Sequence, residues 1–191
     1  GWDRTRDFFG EDKLLAFVAQ DQETFLPKLQ AELGVECDYP VWQVYSGAAN
    51  DVHKACTDLL NQIALPDGWR IETLMHPDED QITQVQELNV ATGVAPYPEY
   101  YSEGSVVGCA TTVLRNDLGK VVGSASVADK FHPDGRLGGS VFKGSTCVLP
   151  EYRGRSLGKL VNAHNLLSSL KAFGWTKVLS QVQPSNLASK K

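Results

Sequence analysis

Three cations and two glycines crowd into seven residues of this chain: Arg153, Gly154, Arg155, Gly158 and Lys159. An apolar run, 140–148, leads into them, and an amphipathic run, 157–173, leaves them. The order strand, turn, helix is the natural reading. Glycine lets backbone N–H groups come close to a ligand. The first turn of a helix adds unpaired N–H donors and the positive end of the helix dipole. Together with the three side-chain charges this is an anion site, best suited to a phosphate or pyrophosphate. The plainer alternative is a tight strand-to-helix turn whose basic residues face water.

Two nucleotide-binding patterns do not apply. A P-loop needs glycine, four residues, then Gly-Lys-Ser/Thr. Here Gly158-Lys159 is followed by Leu160, and Gly154 is one residue too close. The dinucleotide pattern G-x-G-x-x-G is also missing.

The stretch Val148-x-Pro150-x-x-Arg153-Gly154-Arg155-Ser156-Leu157-Gly158-Lys159 resembles the acetyl-coenzyme A signature of the GNAT N-acetyltransferases. That signature reads Arg or Gln, two residues, Gly, one residue, then Gly or Ala. Arg153 and Gly158 match its first and last places, and Ser156 stands where Gly is usual. A serine keeps its backbone N–H there, and its hydroxyl is expected to cap the helix. Gly174-Trp175, the run 177–182 and Asn186 resemble the family's next strand and the asparagine after it. About two thirds of the chain, 69–191, can be laid onto the family's order of elements.

The resemblance implies an α/β fold of GNAT type: an antiparallel meander plus a parallel, splayed strand pair, with flanking helices. It implies acetyl-coenzyme A as co-substrate, held by Val148, Arg153, Gly154, Arg155, Ser156, Leu157, Gly158, Lys159 and Asn186. It implies direct acetyl transfer to the primary amine of a small molecule, with a backbone N–H near Val148 polarising the thioester oxygen. The catalytic residues stay open. Glu99, Glu103 and Asp129 are candidate bases, followed by Tyr100 and Tyr101, and no tyrosine matches the family's usual proton donor to the leaving thiolate. The sequence ends soon after Asn186, where the family has two further strands. The expectation is a chain cut short, or a sheet edge completed by another chain or a second copy. A non-catalytic acyl-coenzyme A-binding or regulatory module is the alternative function.

Composition sets the outer limits. The chain has 191 residues with ordinary apolar and charged fractions, enough for one full domain. A net charge of −5 carries no nucleic-acid footprint. Cys37, Cys56, Cys109 and Cys147 lack metal-ligand spacing, so no metal site is expected, and they read as free thiols of a cytoplasmic protein. Neither a leader-like apolar segment nor a membrane-length run is visible.

The supporting elements follow from periodicity. Residues 1–68 read as a mainly helical segment, either an extra helical layer or, as the resemblance implies, the remnant of a first GNAT-like domain in a tandem arrangement. It holds a helix over 12–33 broken near Pro27, a short strand at 41–45, and a helix to about residue 64 capped by Asn50 or Asp51. A strand at 69–74 precedes a helix capped by Asp78. The Pro- and Tyr-rich stretch 92–104 reads either as an acceptor-pocket wall or as a loop packed on the sheet. Runs 105–114 and 120–130 form a hairpin, and 140–148 completes the meander. Leu157, Leu160, Val161, His164, Leu167 and Leu170 mark the sheet-facing stripe of the next helix, with His164 read as a hydrogen-bonded core residue.

Overall fold

The computed structural model describes residues 22–34, 42–95 and 97–190. Tyr45–Gln181 form one compact unit. A second unit holds helix α1 (Gln22–Leu33) and the residues from Val182 on. In α1 the helix runs through Pro27 without the expected break, and Gly34 follows it with φ +67°. Residues 12–21 and Cys37 lie outside the described residues.

The elements after α1 are β1 (Gln43–Ala48), α2 (Ala49–Leu60), β2 (Arg70–Leu74), α3 (Glu79–Thr92) and α4 (Glu99–Ser102). They continue with β3 (Gly108–Arg115), β4 (Val121–Asp129), β5 (Ser140–Val148), α5 (Leu157–Phe173) and β6 (Lys177–Val182). The strands form one sheet in the order β1-β6-β5-β4-β3-β2. β2 to β5 pair antiparallel, whereas β5 and β6 pair parallel. The α/β meander with a parallel pair is the architecture the sequence implied.

Alternation across the sheet sorts the helices. On β4, neighbouring residues Ser124 and Ala125 must point to opposite faces. Ser124 meets Asn89 of α3 and Cys147 of β5. Ala125 stands opposite Thr112, whose hydroxyl accepts from Asn165 of α5 at 3.2 Å. So α3 covers one face and α5 the other. Val113, Leu114, Val122, Ala125 and Val161 are fully buried in the resulting core. A second cluster joins Cys56 of α2, Val127, Val141, Ala163, Leu166, Trp175 and Val178.

Burial on α5 differs from the expected stripe. Leu157, Leu160 and Val161 are buried as read, but Asn165, Leu166 and Ser169 are too, and His164 is only half-buried. The helix is covered on two sides, by the sheet and by α2, so a single apolar stripe does not describe it. Asn165 is tolerated because its amide donates to the Ala110 carbonyl at 2.8 Å. His164 makes no hydrogen bond among the described residues, and burial pushes its pKa down.

Helix caps also depart from expectation in one place. α2 begins at Ala49 with Ala48 at the cap position and no side-chain cap, so neither Asn50 nor Asp51 plays that role. Its first amide donates instead to the Thr176 carbonyl at 2.9 Å. α3 has the expected Asp78 cap, as a full capping box: Gln81 N–H donates to Asp78 at 2.8 Å, and Asp78 N–H to the Gln81 side chain at 3.1 Å. Asp78→Ala is therefore expected to cost about 1 kcal/mol of unfolding free energy, read from urea denaturation curves.

Candidate functional site

The site grows out of β5. Its parallel ladder with β6 runs Ser140–Lys177, Val141–Val178, Phe142–Leu179 and Lys143–Ser180, and ends there. β5 continues to Val148. Past Lys143 its outer edge has backbone groups that no β6 rung occupies. On the other edge, Gly144 faces Ser126 and Cys147 faces Ser124, so Ser145 and Thr146 share the single position of Ala125. This is a β-bulge, and Ser145 sits in it at φ +49°. A side chain in the left-handed region costs about 1 kcal/mol or more, which the surrounding pairing must offset.

The turn after β5 delivers the cations. A 3-10 turn, Pro150–Tyr152, reverses the chain, and Tyr152 rests edge-on against Trp69 at 5.3 Å between ring centres. Arg153 Nε donates to the Val148 carbonyl at 2.9 Å, which ties the turn to the strand end. Gly154 follows at φ +80° with open space around it. Ser156 takes φ +59°, ψ +11° at the cap of α5, and its hydroxyl makes no capping bond. The expected serine cap is absent because a left-handed residue does not have the extended backbone that aims a capping oxygen at the helix N–H groups.

The start of α5 is thus electrostatically bare. It has no side-chain cap and no acidic residue in its first turn, unlike α3, which carries Asp78, Glu79 and Asp80. Arg155 and Lys159 are exposed and make no hydrogen bond or ion pair among the described residues. Leu157 is buried at 3% exposure, which leaves only its backbone to face a ligand. Gly158 lies over Val148, and an added Cβ would sit 3.7 Å from Val148 Cγ2, ordinary contact. An alanine would fit there too. The fold therefore gathers Val148 and 153–159 at one end of β5.

Asn186 falls in the other compact unit. Its side chain accepts from Ser189 N–H at 3.1 Å and caps the 3-10 turn Leu187–Lys190.

The candidate bases are exposed. Glu99, Glu103 and Asp129 are solvent-facing, with Glu103 accepting from the Ser105 hydroxyl at 3.0 Å. Tyr100 and Tyr101 stack obliquely at 5.2 Å, Tyr100 being half exposed. Cys147 is buried, its thiol donating to Asn89 Oδ1 at 3.1 Å.

Lys143 on β5 escaped the sequence reading, and Tyr97, from the Tyr-rich stretch 92–104, packs against that strand. Tyr97 lays its hydroxyl on Gly144, where a Cβ would come within 2.7 Å of it. That hydroxyl is buried without a hydrogen-bond partner, and burial, with Cys109 and Tyr101 nearby, pushes its pKa up. Lys143 holds the last β5–β6 rung with no hydrogen bond or ion pair among the described residues, and burial pushes its pKa down to about 8. The available signal was a lone charge inside the otherwise uncharged run Ser140–Val148.

Comparison with solved structures fixes the architecture. A tandem GNAT protein from the clavulanic acid biosynthesis pathway superposes with a TM-score of 0.62 over 99% of this chain and 62% of its own, at 18% identity. The chain has the GNAT fold. A GCN5-related N-acetyltransferase from Kribbella flavida gives the same GNAT match at TM-score 0.53 and 15% identity, over 84% of this chain and 56% of that one. A glucosamine N-acetyltransferase region of a fungal multi-domain GH3 β-N-acetylglucosaminidase matches at 0.52 and 16%, over 91% of this chain and 22% of that one. The chain thus spans less than two thirds of each of these three proteins. No family model matches the sequence, and no curated protein is significantly similar to it. Among the described residues no helix is long and apolar enough to cross a membrane, and no cluster of three or more His, Cys, Asp or Glu could hold a metal.

Two outcomes follow. Ser156→Gly removes a left-handed side chain that caps nothing, and is expected to raise stability by up to about 1 kcal/mol in urea denaturation. The second concerns Lys143, whose folded pKa lies below its unfolded one. The unfolded chain then binds more protons between pH 8 and pH 10.5, so stability should climb with pH across that window. Lys143→Met should flatten that part of the profile.

Proposed function

We propose that this chain is an acyltransferase domain that uses acetyl-coenzyme A and passes its acetyl group to the primary amine of a small molecule. One observation carries the reading. The gap left where β6 departs from β5 ends at the uncapped, acid-free N-terminus of α5, flanked by Arg155 and Lys159.

The residues present fit such a co-substrate. The free N–H groups of 154–159 and the cations beside them suit a pyrophosphate. Gly154 has room for close backbone approach. The unpaired outer edge of β5 offers amide groups to the pantetheine arm, as an added strand would. A thioester supplies the activated acyl carbon. The chain's own part is to hold that carbon, exclude water and donate a backbone N–H from the bulge region to the oxygen on which charge builds. An incoming ammonium must first lose a proton. The Tyr-rich segment, with Tyr97 on Gly144 and Tyr101 against it at 6.0 Å, walls the α3 face of this gap, where an amine would approach. The chain's acidic net charge favours a cationic acceptor.

Calorimetric titration with acetyl-coenzyme A tests the reading. Saturable binding is expected, weakened roughly tenfold or more in Arg155→Glu, since placing a carboxylate beside a pyrophosphate replaces attraction with repulsion. Thiol release with a panel of small amines then reads turnover. A folded wild-type chain that does not bind would overturn the assignment, and binding without turnover on any amine would favour a non-catalytic acyl-coenzyme A module.

A further inference from the structure

The transfer reaction above makes no use of Lys143. Its position is odd on physical grounds. Val127, directly opposite on β4, and Val141, two residues earlier on β5, share its face of the sheet and are fully buried. Alternation calls for an apolar residue at Lys143. Other cations in the compact unit are either paired or, like Arg155 and Lys159, exposed to water. Lys54 pairs with Asp58, Arg115 with Glu72 at 2.8 Å, and the Lys130 ammonium lies 3.9 Å from the Phe142 ring centre. Lys143 has none, and no carboxylate counters its desolvation. A half-buried ammonium without a counter-ion is disfavoured, so partial burial shifts Lys143 towards the neutral amine, and a neutral desolvated lysine is a nucleophile.

What it faces along the strand is equally specific. Lys143–Ser180 is the last rung before β6 leaves. The next residue, Gly144, has no side chain to intervene, and Ser145 begins the bulge. The Lys143 backbone thus stands at the head of the gap that the proposed function fills with a thioester.

We propose that Lys143 is a self-acylation site, its amine taking the acyl group of a coenzyme A thioester seated between β5 and β6. The proposal rests on the acyl-coenzyme A reading. In the step, the Nζ lone pair forms a C–N bond to the acyl carbon as the C–S bond breaks. The sulfur leaves with the bonding pair as thiolate, and the proton shed by nitrogen ends on it as the free thiol. No oxidant or further reactant is needed. The product amide carries no charge, so acylation relieves the cost of partly desolvating an ammonium at that rung. It also leaves the acyl group fixed at the head of the gap, which makes the modified chain a poorer thioester binder.

The test incubates the folded chain with acetyl-coenzyme A, reads intact mass and maps acetyl-lysine by peptide mass spectrometry, with calorimetric binding measured in parallel. Lys143 is expected to gain one acetyl group at least about ten times faster than the exposed Lys54, Lys120 and Lys177, a margin of about 1.4 kcal/mol in barrier. Lys143→Arg should lose that gain and still bind the thioester, and Lys143→Met serves where arginine does not fit. Urea-unfolded chain should react evenly at all lysines. Binding with Lys143 unmodified, or modified no faster than the surface lysines, overturns the proposal and leaves the acyl-coenzyme A reading standing. Neither binding nor modification overturns both.

Discussion

The parting of β5 from β6 after Lys143–Ser180 is the constraint on which the rest of the site depends. Parallel neighbours cannot be joined by a tight turn. They need a crossover, here α5, which must start beyond the far end of β5 and return to the near end of β6. The N-terminus of α5 is therefore delivered to the end of β5, where the ladder has already opened. A gap with free backbone edges and a helix end with free N–H groups arise from one topological requirement. The bulge at Ser145–Thr146 shifts the register of β5 against β4, while the β4 pairing itself resumes at Cys147.

Holding a strand that has lost one neighbour needs other anchors. Cys147, Ser124 and Asn89 form a buried polar cluster that pins the end of β5 to β4 and α3. On the opposite face Asn165 ties α5 to β3 through Ala110 and Thr112. Arg153 secures the turn through the Val148 carbonyl. Each of these groups is buried or part-buried and hydrogen-bonded, so each favours one arrangement over nearby alternatives. The unpartnered polar groups in the same region, the Tyr97 hydroxyl and Thr146 Oγ1, belong to the gap wall and the bulge. Asn162 Oδ1 and Asn165 Oδ1 on α5 are also buried without partners, so this cost is shared between the gap wall and the helix.

Much of this was legible residue by residue. β2 to β6 fall where β-branched and apolar runs place them, because alternation and turn residues are local signals. Asp78 reads as a cap because its partner Gln81 is three residues on. The cation-rich turn reads as an anion site because glycine, arginine and helix start are adjacent in sequence. Where reading failed, the missing information was non-local. The start of α2 is satisfied by Thr176, over a hundred residues away in the chain. Asn165 lies outside the apolar stripe read for α5, yet β3 supplies Ala110 and Thr112 as its buried partners. Ser156 looks like a cap until its backbone proves left-handed. His164 sits at a core spacing, yet α2 and the sheet divide the surface of α5 and leave it half-buried.

By itself, the sequence determined the strand–turn–helix at 140–173, the three cations at its join, the hairpin before it and the crossover that makes β5 and β6 parallel. These follow from short-range periodicity, glycine and proline positions, and chain connectivity. Only the tertiary structure decided where β6 leaves β5, that Ser145 and Thr146 bulge against Ala125, that Tyr97 closes on Gly144, and that Lys143 stands unpaired at the last rung. Each of those is a relation between segments distant in sequence. Register and packing set them, and no window along the chain contains both partners.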